Sequence, residues 1–164
     1  MTIAGDAVKV TVTVGLAPAA AFDVFTQETD LWWRRGVAYR VAGRKPGTLC
    51  FEPKLGGRLF EAYESSQGPR THVAGTITAW EPGARLEFEW RGSNFQPGEV
   101  THVVVTFTAT ESGGTCVVLE HRGFASLRPD HPVRHGLEDA AFIRQIGMWW
   151  SDLLTAMRVH ATRD

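Results

Sequence analysis

The chain has 164 residues, with 17 basic and 18 acidic side chains and a formal net charge of −1. That balance, without a basic block, sets aside nucleic acid and anionic membrane surfaces as partners, and no stretch approaches the roughly 18 consecutive apolar residues of a membrane-spanning helix. The length fits one domain over residues 1–164, able to bury a core without metal or disulfide staples.

Residues 1–10 lack a basic stretch followed by an apolar core, so no signal peptide is expected. With only Cys50 and Cys116, in separate strand patterns, the expected setting is the reducing cytoplasm with both thiols free. Residues 8–14 alternate Val-Lys-Val-Thr-Val-Thr-Val, the signature of a strand with one apolar face. Pro18 suits a first helical turn and opens a short helix in which Phe22 and Phe25 share a face. Residues 29–33 read as a second short helical turn.

Six further strands are predicted at 47–51, 58–63, 72–80, 85–91, 99–110 and 115–121, separated by Gly/Pro/Ser turn signals. Side-chain parity sets their register, because a slip of one residue turns every side chain over. A four-residue loop at 81–84 pairs Ala79 with Leu86, Ile77 with Phe88 and Gly75 with Trp90, where the glycine makes room for the indole. A three-residue loop at 112–114 pairs Phe107 with Leu119 and Val105 with His121. His72 falls on the outward face. After a loop containing Pro129 and Pro132, residues 134–161 read as one long helix, with Ile143, Ile146, Trp150, Leu153, Leu154 and Met157 on the 3.6-residue period. Trp149 and Trp150 project about 100° apart, and Trp150 is assigned to the inner face.

The expected fold class is therefore α+β: a curved antiparallel sheet wrapped around a long C-terminal helix, with two short helices after the first strand. Phe22-Asp23-Val24-Phe25-Thr26, Leu31-Trp32-Trp33, Phe51-Glu52-Pro53, Gly56-Gly57-Arg58-Leu59-Phe60-Glu61, Gly75-Thr76-Ile77 with Trp80-Glu81-Pro82, and Leu86 with Trp90 carry a more specific resemblance. Over nearly the whole chain they resemble the activator of Hsp90 ATPase homologue-like family, within the START/Bet v 1-like (SRPBCC) superfamily. The resemblance implies a helix-grip fold with a hydrophobic cavity. The chain departs from it at Ala74-Gly75, where relatives often carry Trp-Gly, and at Gly83, where they often carry proline.

The functional expectation is binding of a small hydrophobic or amphipathic molecule between sheet and helix. Trp33, Leu59, Trp90, Phe107, Leu119 and Trp150 would supply apolar contact, and Glu61, Tyr63 and His121 would orient the polar end. His121 reads either as a ligand or acid–base group or as a core histidine satisfied by neighbours. Glu61 reads either as a pocket carboxylate or as half of a structural ion pair, with Arg58 three residues away and so on the opposite face. Two other readings stand beside binding: a cyclase- or hydratase-type enzyme using His121 and Glu61, and an interaction module for a chaperone ATPase. No cofactor and no metal are expected, since His102 has opposite parity to His121 and His131 and His135 read as a solvated loop. A second copy of the chain is admitted as an oligomeric partner.

Overall fold

A computed structural model describes residues 5–162; residues 1–4, where the segment read for a signal peptide begins, and residues 163–164 lie outside the described residues. In chain order the elements are β1 (Ala7–Val14), α1 (Pro18–Gln27), α2 (Thr29–Trp32), β2 (Gly47–Phe51), β3 (Arg58–Ser65), β4 (Gly68–Glu81), β5 (Arg85–Trp90), β6 (Thr101–Ala109), β7 (Thr115–Arg122) and α3 (Asp139–Ala161). Single-turn 3-10 helices at Phe124–Ser126 and Pro132–Arg134 lie between β7 and α3. The seven strands form one curled antiparallel sheet in the order β1-β7-β6-β5-β4-β3-β2, and α3 lies across its inner face. The expected α+β helix-grip architecture is the one observed. No helix among the described residues is long and apolar enough to cross a membrane.

Alternating apolar positions on the strands build the inner wall: Val103, Val105, Phe107, Val117, Leu119, Leu86 and Phe88 are all buried. The two short helices close one end. From α1, Phe22 packs edge-on to Trp80 and Phe107, and Phe25 packs against Phe107 and Phe51. The C-terminal half of α3 supplies Leu153, Leu154 and Met157, all buried, to the same core. This half-helix runs beside β1.

Several expectations are corrected. Phe107 pairs with Val117, Val105 with Leu119 and Val103 with His121, two residues away from the expected register. The turn is longer than three residues because Thr110 leaves the ladder: its side chain accepts from the Gly114 N–H, and its own N–H bonds the Gly114 carbonyl. A slip of two preserves parity, so the inward set is unchanged. In the β4–β5 hairpin Ile77 does pair with Phe88, but an irregularity puts Ala79 opposite Glu87 and Trp80 opposite Leu86. The larger apolar side chain thus reaches Phe22 and the smaller does not. A second bulge, with Leu59 opposite Gly75 but Phe60 opposite Val73, reverses the parity of β4 below Ala74. His72 consequently pairs with inward-facing Glu61 and is half-buried, not outward. The long helix begins at Asp139, not at residue 134, because His135 and Gly136 both adopt left-handed backbone.

Gly75 is also explained differently. The paired ladder of β4 and β5 ends at Ile77 and Phe88, and a Cβ at Gly75 would fall on the backbone carbonyl of Glu89. The glycine admits the neighbouring strand's backbone, not the Trp90 indole. Gly75→Ala should therefore cost about 3 kcal/mol or more, because backbone on both sides must move. A denaturant melt measures this; a loss below about 1 kcal/mol would show that the crossing is not tight.

Candidate functional site

The sheet ends in register at one corner. Trp90 closes β5 opposite Thr101, which opens β6, and His121 lies near the end of β7. The first half of α3 places Trp149 and Trp150 over this corner, and Trp33 follows α2. The four indoles of Trp33, Trp90, Trp149 and Trp150 form one cluster, every pair having ring centroids between 4.9 and 6.3 Å apart. Trp33 stacks on Trp90 at 22°, and the other pairs meet at steeper angles. Trp33 donates its indole N–H to the Tyr39 carbonyl, Trp149 to the Ala38 carbonyl and Trp150 to His121 Nδ1. The Trp90 N–H has no acceptor among the described residues.

His121 is fully enclosed, and its two nitrogens are both engaged. Nδ1 accepts from the Trp150 N–H at 3.0 Å, and Nε2 lies 2.7 Å from Thr101 Oγ1. Thr101 Oγ1 donates to the Trp90 carbonyl at 3.0 Å, so its lone pairs face Nε2. Only the neutral ring protonated at Nε2 satisfies every partner; a proton on Nδ1 would oppose the Trp150 N–H. Burial, and secondarily the charge His102 can carry, pushes the His121 pKa from its ordinary 6.5 down to about 3. The ring is a hydrogen-bonded strut between helix and sheet.

Glu61 is likewise committed. It is buried, and its two carboxylate oxygens accept the N–H groups of Val41 at 2.9 Å and Ala42 at 2.7 Å. Arg58 pairs with Glu52 instead. The loop that Glu61 holds is anchored again by Arg40, a buried guanidinium that donates to Asp30 Oδ1 at 2.6 Å and to the carbonyls of Asp30 and Trp33. Burial alone would raise the Asp30 pKa, but the Arg40 hydrogen bond, the Leu49 N–H and the charges of Arg40 and Arg35 lower it overall.

Beside the indoles lies a cavity of about 420 Å³, walled by Trp90, Trp149, Trp150, Phe95, Phe124, Val133 and Ile146, with the His121 ring edge at its back. Asn94, His135 and Gln145 also line it, and all three are exposed side chains. No Asp, Glu, Lys or Arg lines it. A second space of about 160 Å³, bounded by Trp33, Glu61, His72, Leu49 and Arg40, shares Val37, Ala38, Trp90, Gly92, Asn94 and Trp149 with the first. A separate groove of about 270 Å³ between β1 and the end of α3 has no aromatic wall. Among the described residues no three His, Cys, Asp or Glu side chains converge as a metal site would require.

Of the side chains expected at the site, Trp90, His121 and Trp150 line the larger cavity, and Trp33 and Glu61 line the smaller. Leu59, Phe107 and Leu119 are buried core that borders neither space, and half-buried Tyr63 lies on β3 away from both. Trp149, Phe95 and Phe124 were not expected there. A phenylalanine within the polar stretch Gly92-Ser93-Asn94-Phe95-Gln96 was the available signal for Phe95. His131, expected to be solvated, is buried. Its Nδ1 accepts the Val133 N–H, so Nε2 donates to Glu99 Oε1 at 3.1 Å, while its ring packs on Phe95. That contact ties together the two loops that roof the cavity.

The family described as "Activator of Hsp90 ATPase homolog 1-like protein" matches residues 16–145. Among solved structures, a protein from Mesorhizobium loti aligns at 18% identity and TM-score 0.61 over 96% of this chain and 99% of that one. The AHSA1 protein from Silicibacter pomeroyi aligns at 18% identity and TM-score 0.60 over 94% and 96%. Ara h 8.0201 aligns at 13% identity and TM-score 0.58 over 94% and 96%. These identities speak for the fold alone. No curated protein matches the chain.

A histidine held neutral by burial makes folding pH-dependent. The unfolded chain binds a proton at His121 below about pH 6.5 and the folded chain does not until about pH 3, so this stability is complete above 6.5 and is lost as pH falls through that window. The expected loss is about 1.4 kcal/mol per pH unit, or roughly 2–3 kcal/mol between about pH 7 and about pH 4.5. Denaturant melts should show this slope in the native protein and a shallower one in His121→Gln. If NMR of the native protein showed the His121 ring gaining its proton near pH 6.5, the strut would be misassigned.

Proposed function

We propose a ligand-binding function for this chain, which belongs to the activator of Hsp90 ATPase homolog 1-like family. The ligand is a small hydrophobic or amphipathic molecule, held in the 420 Å³ cavity between the sheet and the first half of α3. The observation that carries this reading is the cavity's wall: three indoles and two phenylalanine rings line a space with no Asp, Glu, Lys or Arg, between α3 and the corner of the sheet. Trp90, Trp150 and the His121 ring edge contact the ligand. Trp33 backs Trp90 from the smaller space. Leu59, Phe107 and Leu119 support the wall from the packed core, and Asn94, His135 and Gln145 leave one end of the ligand in water.

An acid–base role for His121 and Glu61 has less support, because both nitrogens of one and both oxygens of the other are already bonded within the protein. A proton-transfer group must reach the substrate, and either residue would first have to break a buried hydrogen bond.

Titration with N-phenyl-1-naphthylamine, a neutral apolar dye, tests the proposal. Dye emission should rise saturably with one site per chain while tryptophan emission falls. Ile146→Trp, which puts an indole into the cavity, should weaken binding about tenfold or more without lowering the melting temperature. Unsaturable emission, or equal binding by the native protein and Ile146→Trp, would contradict the proposed site.

A further inference from the structure

The Trp90 indole N–H is the unspent polar group of the cavity's aromatic wall; Asn94, His135 and Gln145 are exposed side chains at its lining. The other three indoles of the cluster donate to protein acceptors. Trp90 does not, yet its nitrogen is not among the sealed polar atoms; among the described residues the one buried side-chain nitrogen or oxygen left without a partner is Arg134 Nε. Trp90 is half-buried and lines both spaces. The remaining polar atoms at the back of the larger cavity are used up, since both His121 nitrogens and the Thr101 hydroxyl are bonded. An indole nitrogen only donates. The aromatic wall therefore carries one uncommitted donor, and the strut behind it offers no acceptor.

Charge is disfavoured at the aromatic end by the same inventory. No Asp, Glu, Lys or Arg lines the larger cavity, burial keeps His121 neutral at ordinary pH, and the other histidine of the lining, His135, is an exposed side chain. An ionised carboxylate or ammonium carried inside would lose its hydration with no counter-charge to replace it. Glu61 in the adjoining space has both oxygens occupied by the Val41 and Ala42 N–H groups, so it offers no ready partner to a cation.

We infer that the ligand is an uncharged, largely aromatic or aliphatic molecule bearing one hydrogen-bond acceptor, a carbonyl or ether oxygen, that the Trp90 N–H reads. This rests on the cavity being a binding site, as proposed above, and names the chemistry it selects. A carboxylate or ammonium in place of that acceptor, at the aromatic end, is rejected by the missing counter-charge.

Three probes of nearly one shape test it: 2-acetylnaphthalene, 2-ethylnaphthalene and 2-naphthoate, each titrated by calorimetry into the whole chain. The ketone should bind about three- to tenfold tighter than the ethyl compound, the yield of one net hydrogen bond, and the carboxylate at least about tenfold weaker than the ketone. Trp90→Phe keeps a ring and removes the N–H, so it should erase the ketone's advantage. Should that variant fail to fold, proton NMR of the native protein answers the same point: the Trp90 indole proton should move further downfield with the ketone than with the ethyl compound. If ketone and ethyl compound bind equally and that proton does not distinguish them, the acceptor inference is overturned while the cavity stands. If 2-naphthoate matches the ketone, neutrality is overturned. If no probe binds, the cavity reading itself fails, and the inference with it.

Discussion

The Trp150 indole is the point at which helix and sheet are tied, and the rest of the site follows from that tie. Its N–H ends on His121 Nδ1, the opposite ring nitrogen on Thr101, and the threonine hydroxyl on the Trp90 carbonyl. One directional chain of donors thus crosses from α3 through β7 and β6 to the end of β5. It works with only one protonation state of the imidazole, and burial enforces that state. Beside the strut a space remains between α3 and the sheet, lined from the helix by Gln145, Ile146, Trp149 and Trp150, whereas the second half of α3 drops Leu153, Leu154 and Met157 directly into the core.

What surrounds the strut determines that the gap remains a cavity. On one side the aromatic plug from α1 fills the sheet's interior, with Phe22 and Phe25 against Phe107. On the other, three loops form walls and roof, each tied by polar contacts, and the loop after β7 also packs Phe124 and Leu127 against Phe142. Glu61 and the Arg40–Asp30 pair hold the loop after α2, and His131 with Glu99 joins the loops that follow β5 and β7. Loops fastened through their backbone groups can enclose a space without filling it, since Glu61 and Arg40 spend their polar atoms on loop N–H and carbonyl groups at the edge of the smaller space. The lining then falls to the residues left over, which are aromatic.

The fold was legible from the sequence because it rests on period and parity. Val103, Val105, Phe107, Leu119 and His121 lie on the inner face whether the β6–β7 pairing is read correctly or two residues out, so the register error cost nothing in the placement of side chains. His72 shows where that robustness ends. A single bulge in β4 reverses every side chain beyond it, and nothing in Thr71-His72-Val73 announces the extra residue. The site was legible in part. Trp33, Trp90, His121 and Trp150 line the two spaces, but Leu59, Phe107 and Leu119, indistinguishable from them by parity, are packed solid. Inward direction does not reveal whether the space in front of a residue is occupied. Phe95, Phe124 and His131 escaped because their contacts join loops far apart in the chain, where no periodicity operates.

The central claim is that the strut between Trp150 and His121 holds open a space that a ligand occupies. A crystal structure of the protein grown with N-phenyl-1-naphthylamine tests it most directly. The dye should lie in the cavity beside the indole cluster, against Trp90, Trp149 and Phe124, with the Trp150–His121–Thr101 hydrogen bonds intact. A structure in which protein side chains fill the cavity beside those indoles, with the dye on the outer groove between β1 and α3 or nowhere, would contradict the account.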